Sequence, residues 1–298
     1  MRRAAALLLV TALASCAAPS SPPPGAAAPA TPVEPVVLDR PAPPPAGGLG
    51  LAAIFPTVGR FSLSGIQSLN GARLAVEDVN RSGGIHGRAL VLLPYRTGSY
   101  FVDAGRAARL AEAEGRALAI VGSNASSLSE AIAEVAEGRG IPQVSNVSTA
   151  DDLTWDPVTG EDRPFVFRVC GSDAHMGGHL ARFADGHLRA RRVAILYEVG
   201  RTYSAKLARS FAERFASPGE GRVVAEFFYL PLETDFRTQL REVAAFRPDV
   251  VFLPGSFTDA TLIAMQAEQI GLRATLLGGD AWSNQLLFKR GGPGRPAF

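Results

Sequence analysis

The chain of 298 residues is 47% hydrophobic and 19% charged, which excludes a disordered protein and allows one large domain or two of medium size. The formal charge of +2 rests on Arg2 and Arg3, and the rest of the chain is balanced. No basic face for nucleic acid and no acidic tail is therefore expected. Basic residues are nearly all arginine, with Lys206 and Lys289 the only lysines, and alanine and proline are abundant. That pattern reads as genome base composition.

The N-terminus, MRRAAALLLVTALASC, has two arginines, an apolar stretch from Ala4 to Ala14, and a small residue before Cys16. The apolar stretch is shorter than the roughly 20 residues that span a bilayer. Residues 1–15 are therefore expected to be a signal peptide. Leu13-Ala14-Ser15-Cys16 resembles the bacterial lipobox, which implies lipidation of Cys16 and attachment to the membrane through the lipid. Ala17, in place of an aspartate, leans the expected location towards the outer membrane, on the periplasmic side of the cell envelope. Residues 17–47 are rich in proline and alanine and lack the apolar content for a core. At about 3.1 Å per residue, such a tether holds the folded part tens of ångströms from the membrane. With Cys16 lipidated, Cys170 has no disulfide partner and reads as a free structural thiol.

From Leu49 onward, short apolar runs alternate with amphipathic stretches. LGLAAIF predicts a strand, and Ile66, Leu69, Ala72, Val76 and Val79 predict a helix that RSGG stops. ALVLL, a helix over 102–115, ALAIVG, a helix over 127–137 and IPQVS continue the rhythm. A loop rich in Asp, Pro and Gly follows over 150–164. The second block runs FVFRV, a helix marked by Met176, Leu180 and Phe183, RVAILY, a helix with Leu207, Phe211 and Phe215, and RVVAEFF. It ends with a helix marked by Phe236, Leu240 and Val243, then DVVFL, a helix with Ala260, Ile263, Ala267 and Ile270, and ATLLG.

About nine strands in two blocks, each followed by a helix, predict an α/β protein of two doubly wound parallel-sheet lobes. Expected boundaries are 48–166 for the first lobe and 167–298 for the second. Ligands of such sheets sit beyond the carboxyl ends of the strands. The relevant junctions are Phe55–Ser64, Tyr95–Phe101, Gly122–Leu128, Asn146–Asp152, Glu198–Tyr203, Pro254–Thr258 and Gly279–Asn284.

The serines of AIVGSNASSLSEA raise the question of a nucleophile. Ser123, Ser126 and Ser127 lie in no Gly-x-Ser-x-Gly elbow, and none of the four histidines is placed by sequence as their base. His175 and His179 are four apart on a predicted helix, but no HExxH pattern or neighbouring cysteine accompanies them. RSGGIHGR follows a helix and precedes a strand, the wrong order for a phosphate cradle. No enzyme activity, cofactor or metal is expected. A binding role uses the same residues better. Serine hydroxyls and free amides at the N-terminus of helix 127–137 suit a carboxylate, although one serine there can instead cap the helix. Ser148 and Thr149 repeat the chemistry at the next junction.

Several segments, taken in order, resemble the leucine/isoleucine/valine-binding proteins, the type I periplasmic substrate-binding proteins of ABC transporters. They are GARLAVEDVNRSGGIHGRALVL, AIVGSNASS, GIPQVSNVSTADDLT, FVFRV, RRVAILYEVGRTYS, TDFRTQL, FRPDVVFLPG and LLGGDAW. The resemblance implies that a hinge joins the two lobes and that a small molecule, an amino acid in the family, binds in the cleft between them. It implies that Ser126 and Thr149 hold the ligand carboxylate and that Val147 offers a backbone carbonyl. Tyr203 closes over the ligand, and Asp280 pairs with the ligand ammonium. The family's aromatic site falls at Ser256, beside Phe257. Ser204 replaces a usual glycine, and Arg96 stands near a usual acid, which points to a more acidic ligand. Family members continue well past FKRGGP, so the resemblance implies an incomplete first lobe. The implied partner is an ABC permease in the inner membrane. Two alternatives stay open: a tethered activator of a cell-wall synthase with the same fold, and a ligand-sensing domain.

Overall fold

The computed structural model describes residues 41–216 and 221–283. The expected signal peptide, Cys16 and most of the tether lie outside the described residues.

The first block folds as β1 (Leu49–Pro56), α1 (Ser62–Arg81), β2 (Leu90–Thr97), α2 (Phe101–Ala113), β3 (Ala119–Val121), α3 (Ser126–Arg139) and β4 (Gln143–Ser145). A 3-10 turn at Asp151–Leu153 and a two-residue hairpin, β5 (Trp155–Asp156) with β6 (Glu161–Asp162), follow. This region, expected to be an irregular loop, is tied down where the Asp156 carboxylate accepts the Val158 amide at 2.8 Å. Strand β7 (Val166–Arg168) completes a parallel sheet of order β2-β1-β3-β4-β7. The last strand of this sheet thus spans the boundary expected at 166/167.

The second block is α4 (Asp173–Arg182), a π-helical turn (Phe183–His187), β8 (Arg192–Glu198), α5 (Thr202–Phe215), β9 (Arg222–Tyr229), α6 (Arg237–Ala245), β10 (Val250–Leu253), α7 (Phe257–Gln269) and β11 (Thr275–Gly278). A 3-10 turn, Asp280–Trp282, follows β11. Its sheet is also parallel, of order β11-β10-β8-β9.

Burial explains the unbroken apolar runs. Strand β10 is buried at all four positions, and only Leu51 of β1 falls short of full burial, because helices cover both faces of these sheets. The second sheet packs on one side around Phe211, whose ring lies 4.1 Å from that of Phe252 and 5.5 Å from that of Phe215. The other side holds Tyr229, Phe236, Leu240 and Ile263. The first sheet packs Ile54, Tyr95, Ile120, Leu128 and Ile132 against the alanine face of α2.

Two glycines set close approaches. A Cβ on Gly65 would lie 1.9 Å from the Pro56 carbonyl oxygen, so glycine lets α1 sit on the end of β1. A Cβ on Gly177 would meet the α5 backbone at 2.8 Å. Helix α1 buries Gly65, Leu69 and Val76 and leaves Ile66 exposed, a narrower stripe than its apolar periodicity predicts. Among the described residues no helix is long and apolar enough to cross a membrane.

Candidate functional site

The carboxyl ends of the two sheets face one cavity of about 610 Å³. The first lobe contributes the β1–α1 junction (Arg60, Phe61, Ser64), the start of α3 (Ser126, Ser127) and Val147. The second contributes Arg201 and Tyr203 at the start of α5, Ser256 and Asp259 at the start of α7, and Asp280 after β11.

The serine cluster divides in two. Ser123 is fully buried, and its backbone is locked by Ser129: the Ser123 amide donates to Ser129 Oγ at 2.8 Å, and Ser129 Oγ donates to the Ser123 carbonyl at 3.0 Å. Ser145 and Ser148 extend the network, the Ser129 and Ser148 hydroxyls lying 2.7 Å apart. These groups hold the β3–α3 junction in shape. Ser126 and Ser127 open α3 and line the cavity. The residue before them, Ala125, gives the helix no side-chain cap. The first amides of a helix lack intrahelical partners and carry its positive end, so this corner suits an anion.

On the opposite wall, Tyr203 Oη donates to Asp280 Oδ1 at 2.8 Å. Burial, reinforced by the Asp280 charge, pushes the Tyr203 phenol well above its ordinary range, so it stays a donor. Asp280 Oδ2 makes no hydrogen bond among the described residues and remains available to a cation. The carboxylate of Asp259 is spoken for. It accepts the Ser256 hydroxyl at 2.7 Å and Tyr229 Oη at 3.2 Å, and the Asp259 amide donates to Ser256 Oγ at 3.2 Å. Ser256 is therefore at the cavity wall as the cap of α7, with its hydroxyl already engaged.

Thr149 stands apart from the other expected ligand residues. It is buried behind the cavity wall and is not part of the lining. Arg168 Nη1 draws in the Thr149 and Ala150 carbonyls at 3.0 and 2.7 Å, and the Asp173 amide donates to the Thr149 carbonyl at 2.7 Å. Beside it the Asp173 carboxylate is fully buried, and neither of its oxygens nor Thr149 Oγ1 completes a hydrogen bond. Burial raises the Asp173 pKa to about 7. The nearby Thr149 hydroxyl relieves this only in part, and Asp151 and Asp280 add to it. Arg96 is exposed on β2 and does not reach the cavity lining. Cys170 is half-buried, its thiol 3.4 Å from the Ser148 carbonyl, and burial pushes its pKa up.

Two ion-pair groups join the lobes across the cleft. Arg60 grips both oxygens of the fully buried Glu198, at 2.5 and 2.9 Å. Lys206 on α5 bonds Glu130 on α3 at 3.0 Å and also Asp152. Burial works against the charged Lys206, but hydrogen bonds and charge from Asp152 and Glu130 outweigh it and raise its pKa. Composition and periodicity did not single out Arg60, Glu198 or Arg201. All three lie in strand-to-helix junctions, and the available signal was a charged residue at a strand's carboxyl end.

His175 and His179 meet on the exposed face of α4, with 2.9 Å between their Nε2 atoms. Among the described residues no group of three or more His, Cys, Asp or Glu is arranged to hold a metal ion.

The periplasmic binding protein family model matches residues 49–292. A Leu/Ile/Val-binding protein of Rhizobium johnstonii, BraC3, is 28% identical over 248 residues, covering 82% of this chain and 64% of the relative. The Leu/Ile/Val-binding protein of Escherichia coli K12 is 25% identical, over 80% of this chain and 63% of its own length. The crystal structure of a leucine-binding protein, LivK, from Thermotoga maritima superposes with a TM-score of 0.75 at 32% identity, covering 82% of this chain and 67% of that one. The chain thus spans about 64% of the length of the first of these relatives.

Proposed function

Because the chain belongs to the periplasmic binding protein family, we propose that it is the substrate-binding component of an ABC importer, taking an amino acid or similar small polar molecule between its lobes. The observation that carries this reading is the polarity of the cavity. Hydroxyls and the amides of an uncapped helix start line one wall, and a carboxylate with a free oxygen lines the other. That arrangement matches a zwitterion. The ligand carboxylate docks at Ser126 and Ser127 with Val147 beside it, and its ammonium docks at Asp280 under Tyr203. Thr149 acts from behind, shaping the wall. No bond is made or broken. Closure about a hinge near residues 166–172 presents the occupied form to a permease in the inner membrane. The Leu/Ile/Val-binding relatives support an amino-acid ligand.

The order of charged, apolar and small residues up to Cys16 supports export and lipid anchoring on the periplasmic side, with Ala17 favouring the outer membrane. The open donors and acceptor of the cavity favour a ligand-binding role over a purely tethered activator of a cell-wall synthase.

Calorimetric titration of the purified full chain with a panel of amino acids tests the reading. Asp280→Ala removes the carboxylate oxygen offered to the ammonium, so we expect affinity for the bound amino acid to fall about 100-fold or more, with a cooperative melt retained at a modestly lower temperature because the Tyr203 hydroxyl loses its acceptor. Unaltered affinity in this variant rejects the site assignment.

A further inference from the structure

We propose that Arg201 sets the ligand class of this cavity by reading a second anionic group, so that the site takes an acidic amino acid rather than a branched aliphatic one. The inference rests on the binding reading above and names the chemistry of the ligand's far end.

The argument is a count of donors and acceptors already committed. Arg60 spends its fork on both oxygens of Glu198, at 2.5 and 2.9 Å. Arg201 is left with a single long bond from Nη1 to Glu198 Oε2, at 3.4 Å, and its guanidinium makes no other hydrogen bond among the described residues. The remaining carboxylates of the cavity are engaged elsewhere. Asp259 serves Ser256 and Tyr229. Glu233 accepts the Leu230 amide at 2.9 Å and Gln239 Nε2 at 2.5 Å. Asp280 takes the Tyr203 hydroxyl and offers only its second oxygen. Among the described residues of the cavity wall, Asp280 therefore keeps one carboxylate oxygen without a hydrogen bond, and Arg201 is a guanidinium whose only side-chain bond is long.

That guanidinium is held in place and largely shielded from water. The Arg201 side chain is 15% exposed. It lies over the Phe61 ring at 5.3 Å and the Tyr203 ring at 5.6 Å. Rings at those distances attract a cation and keep it from swinging out of the cavity. A shielded guanidinium short of acceptors is a costly arrangement, and a ligand carboxylate relieves it through paired N–H···O bonds. A branched aliphatic side chain in the same place would leave those donors unpaired and dry.

The test is calorimetric titration of the full chain, wild type and Arg201→Gln, with L-glutamate, L-glutamine and L-leucine. Wild type should bind glutamate at least tenfold more tightly than leucine. Arg201→Gln should weaken glutamate about 10- to 100-fold and move glutamine and leucine by less than about threefold, because only glutamate carries the second charge. Arg201→Lys keeps the charge without the fork, so it should retain part of the glutamate affinity. It also serves as the test if the glutamine variant folds poorly. Tighter binding of leucine than glutamate by the wild type, or equal loss of all three ligands in Arg201→Gln, overturns the proposal and leaves the binding reading standing. A cooperative melt with no heat from any of the three overturns the binding reading, and this proposal with it.

Discussion

Replacing Asp173 with asparagine should remove a loss of stability that the native chain suffers as pH rises. Its carboxylate is fully buried where the two lobes join, with both oxygens unpartnered. Burial lifts its pKa from the ordinary 3.8 to about 7, with Thr149 and Lys206 easing the charged form and Asp151 and Asp280 opposing it. The folded state therefore holds a proton that the unfolded chain releases at lower pH. The stabilisation is complete below pH 3.8, erodes as pH rises, and is gone once pH has passed about 7. A shift of that size corresponds to about 4 kcal/mol in full, of which about 3 kcal/mol falls between pH 5 and 8. Asparagine cannot ionise, so the melting temperature of Asp173→Asn relative to wild type should climb by about 5–10 °C across that interval. Scanning calorimetry of both proteins at pH 5, 6, 7 and 8 measures this difference. Any constant cost of placing an amide there cancels in the slope. A difference that stays flat from pH 5 to 8 would refute the idea that Asp173 is protonated in the fold.

Two further outcomes follow from the cross-cleft contacts and the serine network. Among the described residues, Arg60→Met leaves the buried Glu198 carboxylate with only the 3.4 Å contact to Arg201, and should cost about 3 kcal/mol in urea denaturation. Adding Glu198→Met should restore much of that, and a single-variant cost below about 1 kcal/mol would place Arg60 among ordinary surface pairs. Ser129→Ala strips the buried Ser123 amide of its acceptor at 2.8 Å. It should lower stability by about 1–3 kcal/mol on a chemical denaturation curve, because an unmade buried bond costs more than a made one returns. A neutral result would mean that another group takes over the amide.

Much of the architecture is legible in the chain because parallel strands must be buried on both faces. Runs such as VVFL at 250–253 and LGLAAIFP at 49–56 have no polar interruption, and both became strands at the expected places. The alternation of those runs with amphipathic helices was enough for two parallel sheets, and the sheet rule then named the junctions where the cavity lies. Periodicity was less reliable at single positions. Ile66 fits the apolar stripe of α1 yet is exposed, because Gly65 brings the helix close to β1 and turns the buried face towards Leu69 and Val76.

What the sequence by itself determined was the class of fold, the strand ends that face the cavity, and the residue types gathered there, because each follows from burial pattern and chain direction within one element. The tertiary structure alone decided which of those residues are free to meet a ligand. Ser256 lines the cavity with its hydroxyl committed to Asp259, Thr149 is pulled beneath the wall by Arg168 and α4, and Arg96, the single exposed residue of β2, is not part of the cavity lining. Arg60 meets Glu198 across 138 positions of sequence, and Tyr203 meets Asp280 across 77. Hydrogen-bond capacity is shared among partners that only folding brings together, so the donors and acceptors left over cannot be counted along the chain.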